Sequence, residues 1–183
     1  MKPPNLQTSR LILRPLKLDD APALQRHFAR WEIIQNLSLA VPWPYPENGA
    51  HQFIQQRLQP DSDDLVWAIT EKDAVDELIG VIDYMAEDTG AGHRGFWLGL
   101  PWQGRGYMTE AVIAVQDYLF FDMGLERMVV TNAVNNPASR RIKEKTGAKL
   151  LGRIPFSHRD GCNESEVWEL TRERWARFRG VEL

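Results

Sequence analysis

A single cysteine, Cys162, leaves this chain of 183 residues without an internal disulfide, and no Cys/His pair has zinc-ligand spacing. No charge predominates: 22 basic and 25 acidic residues give a formal net charge of −3. That balance argues against nucleic acid as the main partner, because affinity there comes largely from neutralising phosphates. Long apolar runs are missing too. The longest charge-free stretch, Ile33 to Pro46, is broken by Pro42, Pro44 and Pro46, so no span of about 20 apolar residues is available to cross a bilayer. The short apolar run near the start is interrupted by Arg10 and Arg14 and does not read as an export signal. Together these absences predict a reducing, cytoplasmic home with no metal and no membrane partner.

Hydrophobic residues at 43% and charged residues at 26% are the composition of a folded domain. Without repeat, linker or composition break, residues 1–183 read as one domain. Leu11–Leu16 is a strand. Asp19-Asp20 and Pro22 open a helix carrying Leu24, Phe28 and Trp31. A second helix starts near Pro46 and presents Phe53, Ile54 and Leu58. Three strands follow, Leu65–Thr70, Glu77–Ala86 and Arg94–Leu100, and their short connections predict an antiparallel meander. A helix from Met108 to Met123 ends at Gly124, and Arg127–Val134 is a strand. Asn136-Pro137 opens a helix that Gly147 closes, before strands Lys149–Ile154 and Glu166–Thr171. The order β-α-α-β-β-β-α-β-α-β-β is a mixed α/β sheet of about seven strands with an antiparallel first half. Trp31, Trp67 and Trp168 fall on apolar stripes and read as core. Trp175 falls in a short basic tail with Arg172, Arg174, Arg177 and Arg179.

The stretch from Phe96 to Ala111 runs from an apolar strand through Gly104-Arg105-Gly106 into a helix. Helix N-termini carry backbone N–H groups with no intrahelical partner, and these bind phosphate well. An isolated Gly-X-Gly also serves as a plain tight turn. The sequence lacks G-x-x-x-x-G-K-[ST], which excludes a P-loop. A dinucleotide fingerprint needs a third glycine where Thr109 stands, and Glu126 precedes its strand instead of closing it.

The run Gln103-Gly104-Arg105-Gly106-Tyr107-Met108 resembles the Q/R-x-x-G-x-G/A pyrophosphate loop of the GNAT acyl-CoA N-acyltransferases. Four segments resemble the RimJ/RimL branch, the ribosomal-protein N-terminal acetyltransferases. They are Thr8–Pro15, Gly95–Leu98 with Gly104–Ala111, Asn136-x-x-Ser139, and Glu144-Lys145-x-Gly147. The resemblance covers essentially the whole chain and implies a GNAT fold with splayed fourth and fifth strands. It implies acetyl-CoA in the cleft, its pantetheine on the backbone of Leu98, Gly99 and Leu100. Gln103, Gly104, Arg105, Gly106, Tyr107, Met108 and Thr109 would hold the pyrophosphate, with Asn136 and Ser139 near the thioester. Met108 departs from the usual glycine or alanine.

Acetyl transfer to an amine needs a proton taken from the amine and one given to the thiolate. Many GNAT enzymes supply the second from a tyrosine seven residues after the position of Asn136; here that residue is Lys143, which closes the tyrosine route. Ser139 is then the candidate to protonate the sulfur, its other reading being a first-turn serine bonded to the helix backbone. His93 stands where related enzymes often carry a glutamate, and an imidazole, with an unperturbed pKa of about 6.5, suits a base; His93 also reads as a solvated turn residue. Asp83 and Glu87 are alternative bases. Trp43 and Tyr45, on a proline-stiffened loop, and Trp97 are candidate acceptor contacts. The expected activity is N-acetylation of a protein N-terminal α-amine in a ternary complex. Alternatives are a small-molecule amine acceptor or a non-catalytic acyl-CoA-binding module, acting as monomer or homodimer.

Overall fold

Five segments, Leu6–Gln7 (β1), Leu11–Pro15 (β2), Leu65–Glu71 (β3), Gly80–Met85 (β4) and His93–Leu98 (β5), pair antiparallel in chain order in the computed structural model. Residues 2–59, 64–86 and 93–183 are described. Arg127–Ala133 (β6), Lys149–Pro155 (β7) and Glu164–Thr171 (β8) form a second antiparallel sheet in the order β6-β8-β7. The helices are Ala21–Phe28 (α1), Trp31–Ile34 (α2), Gly49–Arg57 (α3), Tyr107–Asp117 (α4), Pro137–Lys145 (α5) and Arg172–Arg179 (α6). Among the described residues no helix is long and apolar enough to cross a membrane.

Alternation along β3 decides the layering. Successive side chains of a strand point to opposite faces, and β3 is buried from Leu65 to Thr70 because both faces are covered. Leu65, Trp67 and Ile69 pack with Val112, Val115 and Leu119, together with Trp175 of α6. Val66 and Ala68 pack with Leu24 and Phe28 of α1 and Ile54 of α3. Helices α1 and α3 thus cover one face, α4 and α6 the other. Among the described residues β5 pairs only with β4, and β6 only with β8, so these neighbouring edges share no backbone ladder there. The expected fourth and fifth strands are these two, and they belong to different sheets.

Several local expectations are corrected. Leu6–Gln7 adds a short strand that the sequence did not suggest. Strand β4 begins at Gly80 because 74–77 fold back, with Ala74 N donating to Glu71 O and Glu77 N to Ala74 O. Asp20 makes no side-chain cap to α1; it grips Arg14 through Nη1 at 2.9 Å and Nη2 at 2.7 Å, both residues buried. The helix expected to reach Met123 is α-helical to Asp117, then turns as a π-helix over Tyr118–Asp122. Trp31 is 38% exposed and packs on Trp43 at 5.3 Å between centroids, because α2 is a single turn at the surface. Trp175 lies in a helix, not a tail: it is fully buried and its Nε1 donates to Asp117 Oδ1 at 3.0 Å. Three of the tail arginines are engaged, Arg172 with Glu126, Arg174 with Gly147 O and Arg179 with Asp117.

One carboxylate fastens the chain start to the second half. Glu110, in the first turn of α4, accepts from Thr8 Oγ1 (2.5 Å), Ser9 Oγ (3.0 Å), Arg10 N (2.8 Å) and Arg10 Nε (2.8 Å). Desolvation opposes its ionisation, yet the bonds from Thr8, Arg10 and Ser9 hold its pKa down at about 2. The positive end of the α4 dipole acts in the same sense.

Trp175→Ala should destabilise the protein by about 3–5 kcal/mol, read as a lower urea midpoint. Glu110→Gln should cost about 1–3 kcal/mol at neutral pH. A carboxyl held at about 2 against an ordinary 4.5 contributes stability that is complete above pH 4.5 and lost as pH falls toward 2. The gap between Glu110→Gln and the parent should therefore close over that window in urea titrations.

Candidate active site

Beyond β5 the backbone must turn sharply to enter α4, and two glycines make the turn. Gly104 and Gly106 take left-handed φ values of +75° and +80°, which side-chain-bearing residues adopt at a cost. The first bond of α4 runs from Glu110 N to Gly106 O at 3.0 Å. Upstream of it, the amides of Gly104 to Thr109 meet no acceptor among the described residues. A Cβ at Gly104 would touch nothing within 4 Å, so the turn opens onto free space.

The loop is tied at both ends. Gln103 Nε2 donates back to Leu98 O at 2.8 Å. Glu71 of β3 accepts from Trp102 Nε1 at 3.0 Å and Tyr107 OH at 2.7 Å. Those two bonds, with the nearby Arg105 charge, hold the Glu71 carboxyl below its ordinary range against desolvation. Arg10 reaches over the Tyr107 ring at 4.3 Å and donates to Arg105 O at 3.0 Å. Gly99 N donates to Ile79 O at 2.8 Å, and its φ of −56° is ordinary. The constraint at Gly99 is space: a Cβ there would lie 3.0 Å from the Trp102 ring.

A cavity of about 350 Å³ opens beside this turn. Phe96, Trp97 and Leu98 of β5 form one wall, and Gln103, Gly104, Gly106, Tyr107, Met108 and Thr109 the next. Asn136, Ser139 and Ile142 with Arg141 and Lys145 come from α5 and its cap; Glu32, Ile33, Asn36 and Leu37 close the far side. Ten of the sequence-derived candidates therefore meet here. Gly99, Leu100, Arg105, His93, Trp43 and Tyr45 do not line the cavity. Trp43 lies against Trp31, and Tyr45 against Phe28 at 5.0 Å. His93 begins β5, its Nε2 3.4 Å from Thr131 Oγ1 of β6. Asp83 accepts from Gly95 N at 2.7 Å, and desolvation pushes its pKa up. Glu87 lies outside the described residues.

Asn136 caps α5, its Oδ1 accepting from Ser139 N at 3.1 Å. The Ser139 hydroxyl does not bond back to the helix; it accepts from Lys143 Nζ at 2.8 Å. Lys143 is 2% exposed, and desolvation, then the Arg94 charge, pulls its pKa well below 10.5 against the opposing pull of Glu166. The carboxylate of Glu166 is fully buried, bonded to Asn132 Nδ2 at 3.0 Å and to Arg140. Sequence reasoning did not reach Glu32, Arg141 or Lys145. Glu32 and Arg141 stand outside the resembling motifs, Lys145 falls within Glu144-Lys145-x-Gly147 but was given no role there, and only folding brings α2 opposite α5.

The far wall is set by the turn between β7 and β8. Asp160 N donates to Gln35 O (2.9 Å), Arg159 N to Leu37 O (3.0 Å), and His158 Nδ1 lies 3.1 Å from Asn36 O. Arg159 also donates to Leu39 O and Val41 O, at 2.6 and 2.7 Å.

Chemically, the cavity offers unpaired amides and cations on one side, an inward hydroxyl, and a carboxylate across from them. Residues 10–149 match the family model described as an acetyltransferase (GNAT) domain. The uncharacterized N-acetyltransferase YnaD of Bacillus subtilis is 24% identical over 149 residues, covering 81% of this chain and 84% of its own. The structure of RimL, a ribosomal L7/L12 α-N-protein acetyltransferase in complex with coenzyme A, has a TM-score of 0.77 at 19% identity, covering 92% of this chain and 98% of that one. The microcin C7 self-immunity acetyltransferase MccE, solved with acetyl-CoA and AMP, has a TM-score of 0.74 at 20% identity, covering 89% and 93%. Similarity at that level carries the fold, a mixed α/β arrangement around a break between two edge strands. The family match itself runs from β2 through the amide turn and α5 to the start of β7, and the chain belongs to the GNAT N-acetyltransferases.

Proposed function

We propose that acetyl-CoA places its pyrophosphate on the free amides of Gly104 to Thr109, and that its acetyl group passes to a protein N-terminal α-amine. The observation that carries this reading is the run of unpaired amides opening into the same cavity as the Ser139 hydroxyl. Arg141 and Lys145 supply cations for a polyanionic nucleotide. The pantetheine arm follows the unpaired edge of β5, where Leu98 O already accepts from Gln103 and Gly99 N is bound to Ile79 O. Glu32, the one acid among the lining residues described, favours a cationic acceptor on the far side.

In the ternary complex the neutral amine attacks the thioester carbonyl, and Ser139 donates to the departing sulfur. An α-amine has a pKa of about 8, so a useful fraction is already neutral at pH 7. That fits a base standing off the cavity wall; His93 takes the amine's proton through water. Likeness to RimL supports a protein acceptor. A small-molecule amine is the second reading, favoured by the far wall of Ile33, Asn36 and Leu37 held under the 158–160 turn.

CoA release followed with a thiol-reactive dye separates the two, using peptides that begin Ser, Ala or Met beside polyamines, aminoglycosides and amino-acid amides. Turnover on peptides is expected; turnover on small amines alone would transfer the assignment to them. For the cradle, Gly106→Ala should weaken acetyl-CoA binding in calorimetry by about tenfold, the equivalent of one charge-assisted hydrogen bond. Gly124→Ala is the control for backbone strain, with φ +70° and open space around its Cβ position, and should leave affinity unchanged. Equal affinities for the two variants would remove the amides of 104–109 from the cofactor site.

A further inference from the structure

Lys143 is the one lysine among the described residues that is fully buried. It follows Ser139 by one turn on α5, and charged groups face it from several elements. Arg94 of β5 is 3% exposed, with Nε and Nη1 lacking hydrogen-bond partners among the described residues. Glu166 of β8 opposes it with a carboxylate shared by Arg140 of α5 and Asn132 of β6. Asp83 of β4 acts on Arg94, and His93 acts on Asp83. The Phe96 ring, itself a cavity wall, has its centroid 5.9 Å from Lys143 Nζ. A lysine is seldom this buried without a specific partner, and the bonded partner here is Ser139 Oγ at 2.8 Å.

That bond has a direction. An ammonium carries three donors and no acceptor, so Ser139 Oγ accepts from it and must point its own proton elsewhere. The Ser139 amide is used on Asn136 Oδ1. The hydroxyl proton has no acceptor on the helix, and Ser139 lines the cavity. We infer that Lys143 is a positioning residue that turns the Ser139 hydroxyl toward the thioester sulfur and resupplies the proton Ser139 gives up. The inference rests on the acetyl-CoA reading above. On collapse of the tetrahedral intermediate the C–S bond breaks and its electron pair goes to sulfur. The Ser139 O–H proton moves to sulfur, and an N–H proton of Lys143 moves to Ser139 Oγ. Neutral Lys143 then regains a proton from bulk water, and His93 returns to bulk water the one it took from the amine. The depressed Lys143 pKa makes that second transfer less uphill than from an exposed lysine.

CoA itself is the probe, needing no acceptor, with desulfo-CoA as the control that lacks the sulfur. The thiol of bound CoA is titrated by its ultraviolet thiolate absorbance. A free thiol titrates at about 8.5; a hydroxyl backed by an ammonium should lower the bound midpoint by about one unit, a tenfold gain in thiolate. Lys143→Met should return the midpoint to that of the free thiol, while Lys143→Arg, which keeps the charge and the donors, should retain the lowered value. Ser139→Ala should also lose the shift. Equal midpoints in the parent and Lys143→Met would overturn the role of Lys143 and leave Ser139 in place. A lowered midpoint persisting in Ser139→Ala would remove Ser139 from the sulfur, and absence of CoA binding in the parent would overturn the acetyl-CoA reading itself. If Lys143→Met does not fold, the parent decides alone: a bound midpoint at or above that of free CoA overturns the inference.

Discussion

Strands β5 and β6 are neighbours that never pair, and most of what the site can do depends on keeping them so. A strand edge with unpaired N–H and C=O groups is costly when buried, and it invites another strand. Here the gap is held by groups that an apolar core would not contain. Arg94 enters from β5, Asn132 from β6, Lys143 from α5 and Glu166 from β8, so zipping the two sheets together would strand buried charge. At the mouth, Gln103 covers the last carbonyl of β5, and Glu71 pins Trp102 and Tyr107 so that the turn into α4 cannot collapse inward.

The same economy appears at the start of the chain. Residues 8–10 carry four donors to one carboxylate on α4, which fixes the N-terminus of that helix in place. The unpaired amides of 104–109 are useful only if their orientation is kept between binding events. Preorganisation of this kind lowers the cost of ordering a ligand site.

Much of this was legible in the sequence. Strand-like runs with short connections identified the central strands, Gly104 and Gly106 marked the turn, and Asn136-Pro137 marked a capped helix; each rests on a local rule. What escaped depended on distance in the chain. Trp175 sits among arginines, whose charges pair with Glu126 and Asp117, residues more than forty positions away. Lys143 read as the loss of a tyrosine, because composition cannot show that a lysine is buried or what it touches. Trp31, placed on a helical stripe, lies outside because α1 ends at Phe28 and a separate turn begins. Of the site candidates, most of those within 97–109 converge with Asn136 and Ser139, while Gly99, Leu100 and Arg105 stay off the wall; His93 sits at the far end of β5, and Trp43 and Tyr45 depend on a loop path that no spacing rule fixes.

The turn between β7 and β8 carries a consequence for how such a protein diverges. It braces residues 35–41 through bonds to the carbonyls of Gln35, Asn36 and Leu37, and toward α5 it reaches only as far as Asn135, which donates to Asp160 Oδ2 just before the Asn136 cap. The two halves of the cavity are thus written in separate stretches of chain. Insertions or substitutions at 156–163 can reshape the far wall while the 96–109 run stays untouched, so selection can try new acceptors without rebuilding the seat of the donor.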